Sequence, residues 1–313
     1  SVLARFQGKD APVQRTLFEV FREHNDKCIQ LSGTDMAPAT VQRYETSLKH
    51  TRDFVWETYH KKDVLLDEVS RQFIEDYEFW LKTEKKCCHN TATKYLKNFK
   101  KIIRIALAKG WMKNDPFLEI RFSLDKVEPD FLEDSEIQKL ISKEIDIPRL
   151  SQVRDIFVFC CFTGLAFSDI HGLRKEHIVE DSNGVRWIRK GRQKTKIMCN
   201  IPLIEIPLKI LEKYSTNEYC KKYGVLFPVL CNQKMNAYLK ELADICGIKK
   251  TLTTHVGRHT FATFALANGV SIESVAKMLG HTNVQMTRHY ARVLDRTVIR
   301  EMSQIKMDLH FSM

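Results

Sequence analysis

Apolar residues in the first hundred positions recur at helical spacing. Four segments carry the pattern: Thr16–Gln30, Ala39–Tyr59, Leu66–Glu84 and Thr91–Lys109. An apolar residue at every third or fourth position gives a helix one buried face. The pattern therefore predicts that this part of the chain is made of α-helices.

The segment Thr91–Lys109 also carries a second stripe, which consists of cationic residues. Lys94, Lys97, Lys101 and Arg104 succeed one another at steps of three, four and three. This spacing places them on one face of the helix, away from its apolar side. A solvated helix face is the plain explanation, whereas a face that follows a DNA backbone is the alternative favoured by the motifs in the second half.

Residues 123–130 are polar and contain a proline, which predicts a linker between a helical domain at 1–122 and a second domain at 131–313. The second half is also mostly helical, but Gly184–Ile201 alternates apolar and polar residues. That segment predicts a β-hairpin or short antiparallel sheet with its turn near Lys190–Gln193. We therefore expect a mainly α fold with a small β-sheet, an α+β class.

Composition narrows the class of protein. The chain has 313 residues and a formal net charge of +11, which favours two domains and a polyanionic partner such as nucleic acid. It shows no apolar run long enough to span a membrane and no signal peptide. Its nine cysteines include no C-x-x-C pair, so we expect reduced thiols, no zinc site and a cytoplasmic protein.

Two motifs near the end of the chain contain closely spaced histidine, arginine and tyrosine residues. Predicted helices cover Thr253–Ala267, with Thr254 as its cap, and Ser271–Leu279, which Gly280 ends. The first carries His255 and Arg258 three residues apart and therefore on one face. The two-pronged donor of an arginine fits a phosphate, and the neighbouring histidine is able to transfer a proton. Taken alone, H-x-x-R is a weak signal.

The second motif is Leu-Gly-His-Thr around His281, and Tyr290 follows nine residues later. An isolated tyrosine at such a position is more simply a core residue. The combination of H-x-x-R-H, L-G-H and a tyrosine nine residues beyond, in a basic chain, is a compound signal that chance rarely produces.

With the phrase Thr-Gly-Leu-Ala-Phe-Ser-Asp at 163–169, this pattern resembles the tyrosine recombinase (phage integrase) family. The resemblance covers residues 151–290, and the helical first half is similar to the core-binding domain of that family. It implies a mixed α/β catalytic domain and a C-shaped clamp around double-stranded DNA. It also implies a site-specific recombinase, an integrase or invertase, in the bacterial cytoplasm and associated with the nucleoid.

The resemblance implies a role for each matching residue. Tyr290 would attack the scissile phosphate, form a 3′-phosphotyrosine and release a 5′-hydroxyl. Arg258, His255 and His281 would contact that phosphate. A lysine on a β-hairpin would protonate the leaving oxygen; we assign Lys194, with Lys190 as the rival and otherwise a DNA-backbone contact.

Fixed cations and hydrogen-bond donors stabilise the charge of a phosphoryl transition state, so this chemistry needs neither a metal nor ATP. We therefore expect no cofactor.

One position departs from the family pattern. The first box normally reads T-G-L-R, and its arginine is the second phosphate clamp, but this chain has Ala166. An alanine here is similar to the integrases of Bacteroides-type mobile elements. Arg192 is our candidate substitute, with an ordinary DNA-backbone contact as the alternative. In an extended stretch it would project to the same side as Lys194. We expect Asp169 and His259 to support the site structurally.

The last segment carries apolar residues at helical spacing from Leu294 to Leu309. The resemblance implies that this tail links protomers of a homo-tetramer in trans, with accessory DNA-bending proteins as further partners; covering its own domain is the alternative. The chain starts with little room for the arm-binding domain that many integrases carry, so we expect either a simpler recombinase or a sequence from which that domain has been removed. A type IB topoisomerase and a DNA-binding protein without catalysis remain competing functions, and the sequence reveals neither the DNA site nor the direction of recombination.

Overall fold

A computed structural model of the chain describes residues 14–127 and 129–290. The chain divides into two compact units, residues 1–127 (unit 1) and 128–313 (unit 2). The predicted tail helix and its docking in trans lie outside the described residues.

Unit 1 is helical in the part that the structure describes. Its α-helices are α1 Leu17–Gln30, α2 Pro38–Tyr59, α3 Arg71–Thr83 and α4 His89–Ala108. Their apolar faces form one core in which the fully buried Phe54, Tyr77 and Phe99 pack ring against ring. Burial of a side chain of this size contributes about 1.5–3 kcal/mol, so the predicted apolar stripes account for the stability of the unit.

The prediction of one helix over Leu66–Glu84 is wrong. A short 3₁₀ turn covers Leu66–Glu68, and α3 begins only at Arg71. Ser70 separates the two, because its hydroxyl accepts a 3.3 Å hydrogen bond from the backbone N–H of Phe73 and caps α3. The apolar spacing continues across this break, which explains why periodicity alone did not reveal it.

Unit 2 is built around one buried helix. Its α-helices among the described residues are α5 Asp134–Ser142, α6 Pro148–Thr163, α7 Phe167–His171, α8 Glu205–Tyr214, α9 Glu218–Tyr223, α10 Asn232–Ile245, α11 Thr254–Ala267, α12 Ile272–Leu279 and α13 Gln285–Arg288. The helix α6 is buried around nearly its whole circumference and contacts α5, α8, α10 and α11. A helix that is apolar on all sides belongs in a core, and here it fixes the position of α11.

A small sheet accompanies the helices of unit 2. It consists of β1 Ile178–Glu180, β2 Arg186–Gly191 and β3 Met198–Pro202, in that order and antiparallel. The predicted short antiparallel sheet is confirmed, and so is the mainly α fold.

The predicted position of the turn is wrong. The pair between Gly191 and Met198 closes the ladder, so the turn lies after Gly191 rather than at Lys190–Gln193. Gly191 is extended, and Lys196 takes the positive φ of 60° in the turn instead.

The bounds of the two helices that carry the motifs agree with those predicted from the sequence. α11 and α12 match the predicted segments, and Gly280 ends α12 with a φ of 61°. The cap of α11 is Thr253 rather than Thr254, which is already helical. None of the described helices is long and apolar enough to cross a membrane.

Candidate active site

Arg258 is a buried cation, with only 3% of its surface exposed. Its Nη1 donates to the carbonyl of Gly164 at 2.7 Å, and its Nη2 donates to the carbonyl of Leu279 at 2.6 Å. Burial lowers the pKa of Arg258 to about 10, with a further contribution from the charge of Arg192. The guanidinium therefore stays charged at neutral pH and is held between the ends of α6 and α12.

Two glycines allow this close approach. Gly164 ends α6 with a φ of 67°, a conformation that residues with a side chain rarely adopt. A Cβ at Gly164 would lie 2.8 Å from a methyl group of Leu279, and one at Gly280 would lie 2.7 Å from Cδ of Arg192. A side chain at either position would displace a group of the site.

Arg192 stands at the start of the turn between β2 and β3. Its Nε lies 3.3 Å from Oδ2 of Asp169, and Oδ1 of the same carboxylate accepts the backbone N–H of Gln193 at 2.9 Å. Asp169 lies on α7 and is 1% exposed. One buried carboxylate therefore contacts both the side chain of Arg192 and the backbone of Gln193, and the supporting role expected for Asp169 stays a prediction.

Ala166 caps the N-terminus of α7, three residues before Asp169. Its methyl group carries no charge, so the first box supplies no cation at this position. The charge of Arg192 acts on Arg258, His281 and Tyr290, whose pKa values it shifts. The structure thus brings a second guanidinium to the cluster from the hairpin.

The two lysine candidates of the hairpin lie in different surroundings. Lys194 is exposed in the turn, and its charge helps to lower the pKa of His255. The ammonium of Lys190 donates to the carbonyl of Gly172 at 2.8 Å and lies 3.4 Å from Nε2 of His177. Lys194 is therefore free to reach a substrate, whereas the ammonium of Lys190 is engaged by Gly172 and lies close to His177.

The expectation that Arg192 and Lys194 project from an extended stretch is wrong. Residues 193–195 form a turn, which directs Arg192 to Asp169 and leaves Lys194 at the tip.

His281 is fixed through both ring nitrogens. Its Nε2 lies 3.0 Å from Nη2 of Arg258, and its Nδ1 lies 2.8 Å from Oγ1 of Thr287. The pKa of His281 is lowered to about 4, mainly by burial and then by the charges of Arg258 and Arg192. The ring of His281 is therefore neutral at neutral pH. The pKa of His255 is lowered for the same reasons, with Lys194 as an added cation.

Tyr290 lies just after α13 and is half-buried. Its ring stacks on that of His281, with centroids 6.2 Å apart, and lies 5.1 Å from the ring of His259. Burial raises the pKa of Tyr290, while the charge and hydrogen bonding of Arg258 and the charge of Arg192 oppose that rise. The phenol is therefore protonated at neutral pH and placed beside two guanidinium groups.

The cationic stripe of unit 1 lies on the surface of α4. Lys97, Lys101 and Arg104 line one shallow groove, and Lys94 is exposed on the same helix. Lys101 donates to the hydroxyl of Tyr44 at 3.0 Å and lies over its ring. The groove thus combines exposed cations with aromatic surfaces.

Sequence reasoning missed several residues of these two regions. Lys100 and Phe122 also line the groove on α4, and the position of Lys100, three residues after Lys97, was the available signal. In the site, the Thr287 hydroxyl and the carbonyls of Gly164 and Leu279 depend on tertiary contacts that no spacing reveals. Among the described residues, no group of three His, Cys, Asp or Glu side chains is placed to hold a metal ion.

Comparison with known proteins identifies the family. A model of the phage integrase SAM-like domain matches residues 16–124, and the model of the phage integrase family matches residues 130–297. The chain belongs to the phage integrase family and is a tyrosine recombinase. A tyrosine recombinase of Pseudothermotoga lettingae is 30% identical over 267 residues, which cover 82% of this chain and 88% of the relative. The tyrosine recombinase XerD of Shewanella oneidensis is 24% identical and covers 87% of this chain and 92% of its own length.

Solved structures of integrases share the fold. A lambda integrase dimer bound to a core site matches with a TM-score of 0.71 and 16% identity, covering 95% of this chain and all of that one. The Tn1549 transposon integrase, in complex with a circular intermediate DNA, matches with a TM-score of 0.71 and 17% identity, covering 93% and 99%. Membership of the Bacteroides-type branch of the phage integrase family stays a prediction.

Proposed function

We propose that this tyrosine recombinase cleaves and rejoins double-stranded DNA at a specific site through a 3′-phosphotyrosine on Tyr290. The observation that carries the proposal is the placement of the Tyr290 ring beside the buried, doubly anchored guanidinium of Arg258. A phosphate that approaches Tyr290 would meet a cation whose orientation is already fixed. Fixed charges of this kind stabilise a transition state more than mobile ones, because they need no reorganisation during the reaction.

The remaining side chains fit defined steps. The Tyr290 oxygen forms a bond to phosphorus, and the bond between phosphorus and the 5′-oxygen breaks. Lys194 supplies the proton that the leaving oxygen needs, since its ammonium is exposed near His255. His255 and His281 would contact the phosphate, and His281 would do so by exchanging one of the contacts that its ring nitrogens make with Arg258 and Thr287. The phosphodiester energy stays in the phosphotyrosine, so the reverse attack by a 5′-hydroxyl rejoins the strand.

Arg192 takes the place of the arginine that the first box lacks. Three features support this role: its side chain is 12% exposed, its Nε faces the carboxylate of Asp169, and its charge acts on Arg258 and Tyr290. An ordinary surface contact to DNA would not need a buried carboxylate to orient it. His259 belongs to the same cluster and contacts Tyr290.

DNA binding involves both units. Lys94, Lys97, Lys101 and Arg104 of α4 would follow the phosphate backbone, and Lys190 would contact it by giving up its hydrogen bond to the carbonyl of Gly172. A lambda integrase tetramer was solved on a Holliday junction. For this chain we propose a homo-tetramer on paired sites, linked by the C-terminal tail in trans and assisted by DNA-bending proteins, in the bacterial nucleoid.

A covalent capture experiment tests the proposed chemistry. A library of nicked duplexes with randomised positions is incubated with the protein, and adducts that resist SDS are sequenced. We expect wild-type protein to capture one sequence, with a blocked 3′ end and a free 5′-hydroxyl on the released strand. Tyr290→Phe should give no adduct while its DNA affinity is unchanged.

Two outcomes would contradict this function. An adduct that persists in Tyr290→Phe would remove the nucleophile. Relaxation of supercoiled plasmids that lack the captured sequence would indicate a topoisomerase instead of a site-specific recombinase.

A further inference from the structure

His259 lies next to the nucleophile but has no task in the steps above. It follows Arg258 on α11, and its ring meets that of His255 edge-on at 4.3 Å. The same ring lies 5.1 Å from the ring of Tyr290, closer than the 6.2 Å of His281. Of these two histidines, His259 thus makes the closer ring contact with the tyrosine.

A ring nitrogen of His259 has no hydrogen-bond partner. Its Nδ1 is buried and makes no hydrogen bond to any residue that the structure describes. His281 differs, because Arg258 and Thr287 engage both of its nitrogens. A hydrogen bond to a buried atom that has no partner gains about 1–3 kcal/mol, so this nitrogen is able to accept a proton donor without losing an existing hydrogen bond.

The cleavage reaction needs a group that accepts a proton from Tyr290. The Tyr290 phenol must lose its proton when it attacks phosphorus, and burial raises its pKa above the ordinary value. The charge of Arg258 acts on the phenol, and a guanidinium has only donor groups, so Arg258 is unable to take the proton. An acceptor with a free nitrogen beside the ring is required.

We propose that His259 is the proton acceptor for Tyr290, which makes it a catalytic residue rather than a structural support. The phenolic proton moves from Oη to an imidazole nitrogen of His259, and the electron pair left on Oη forms the bond to phosphorus. In the reverse reaction His259 returns this proton. Hydrogen bonds of this kind are often long without substrate and tighten when it binds, so ring contact at 5.1 Å is a compatible starting geometry.

The charges around His259 suit this role. Burial lowers its pKa to about 4, with His255 and Arg258 as further causes, so the ring is neutral and able to accept a proton. Among the described residues, the rings of His255 and Tyr290 contact it and the charge of Arg258 acts on it. A scissile phosphate would bring negative charge to Arg258, and this charge would move the pKa of His259 upward during the reaction.

This inference rests on the proposed function, and its test uses the DNA sequence that wild-type protein captures. Single-turnover cleavage is measured for His259→Phe and His259→Gln from pH 6 to pH 10. General-base catalysis contributes about 100-fold or more, so both variants should be at least about 100-fold slower at pH 7. The deficit should shrink as the pH rises toward the pKa of the phenol. Added imidazole should partly restore His259→Ala.

A second substrate separates His259 from the general acid. With sulfur in place of the bridging 5′-oxygen, the leaving group needs no proton. We expect this substrate to restore Lys194→Ala but not His259→Phe.

A deficit in cleavage rate that does not change with pH, or one below about 5-fold, would overturn the assignment of His259. This holds even if His259→Phe is unstable, because His259→Gln supplies the same comparison. If wild-type protein forms no Tyr290 adduct, the proposed function fails; if only the pH signature is missing, this inference alone fails.

Discussion

The cations of the candidate site and those of α4 carry the same charge but are held in different ways. Arg258 is 3% exposed and donates to two backbone carbonyls, and Arg192 is oriented by a carboxylate that is 1% exposed. Lys97, by contrast, is exposed, and its ammonium lies 6.0 Å from the ring centroid of Phe122. A fixed, buried cation acts on the reacting phosphate, whereas an exposed one acts on affinity for any phosphate nearby.

The largest expected effect separates the two regions most clearly. Arg258→Lys keeps the positive charge, but a lysine lacks the planar, two-pronged donor group of an arginine. It is therefore unable to donate hydrogen bonds to two carbonyls and a phosphate at the same time. We expect single-turnover cleavage to fall about 100- to 1,000-fold with little change in DNA affinity. Arg43→Lys, an equally conservative change at an exposed position of α2, is the control and should leave cleavage unchanged. Equal rates for the two variants would show that the fixed geometry of Arg258 is not used.

Removing the anchor of Arg192 should have a smaller effect. Asp169→Asn keeps the size of the side chain but removes the charge that faces Arg192. Displacing a reacting group by about 1 Å lowers a reaction rate by up to about 100-fold. For Asp169→Asn we therefore expect the cleavage rate to fall by about 10- to 100-fold. DNA affinity should stay within about 2-fold of wild type. A loss of affinity without loss of rate would assign Asp169 to folding or binding alone.

The groove on α4 should respond in the opposite way. Lys97→Ala and Lys101→Ala together should weaken binding to captured and unrelated sequences alike. The slope of log affinity against log salt should become shallower by about 1 per lost phosphate contact. The cleavage rate at saturating protein should not change. The control is Lys62→Ala together with Lys113→Ala, an equal change of charge at two exposed positions outside α4; an identical effect there would contradict a defined groove.

The smallest effect concerns stability against pH. The pKa of His281 is lowered to about 4, while an unfolded histidine has a pKa of about 6.5. The unfolded chain therefore binds more protons below that value, and stability is fully present above about pH 6.5 and falls toward pH 4. In unit 1, the pKa of Glu23 is lowered to about 2, mainly by hydrogen bonds from Lys27 and Lys109, so its contribution is lost only at lower pH.

We expect the melting temperature to fall between pH 7 and pH 5, and His281→Gln to make this fall shallower. An unchanged slope in His281→Gln would contradict a buried neutral ring at position 281.

The difference between the two regions also explains what the sequence could predict. Helical spacing located α4, α11 and α12, and motif spacing brought His255, Arg258, His281 and Tyr290 together. The break before Arg71 and the turn after Gly191 escaped because both depend on local hydrogen bonds within a continuous pattern. Asp169 was predicted only as a structural support, and its contact with Arg192 was not predicted, because 23 residues separate the two in the chain.

The most direct measurement is the single-turnover cleavage rate of Arg192→Ala on the captured DNA sequence, at protein concentrations that saturate the site. We predict a loss of at least about 100-fold, because the substitution removes the guanidinium that acts on Tyr290 together with Arg258. We also expect DNA affinity within about 2-fold of wild type under the same conditions. A cleavage rate near that of wild type would contradict the claim that Arg192 replaces the arginine missing at Ala166.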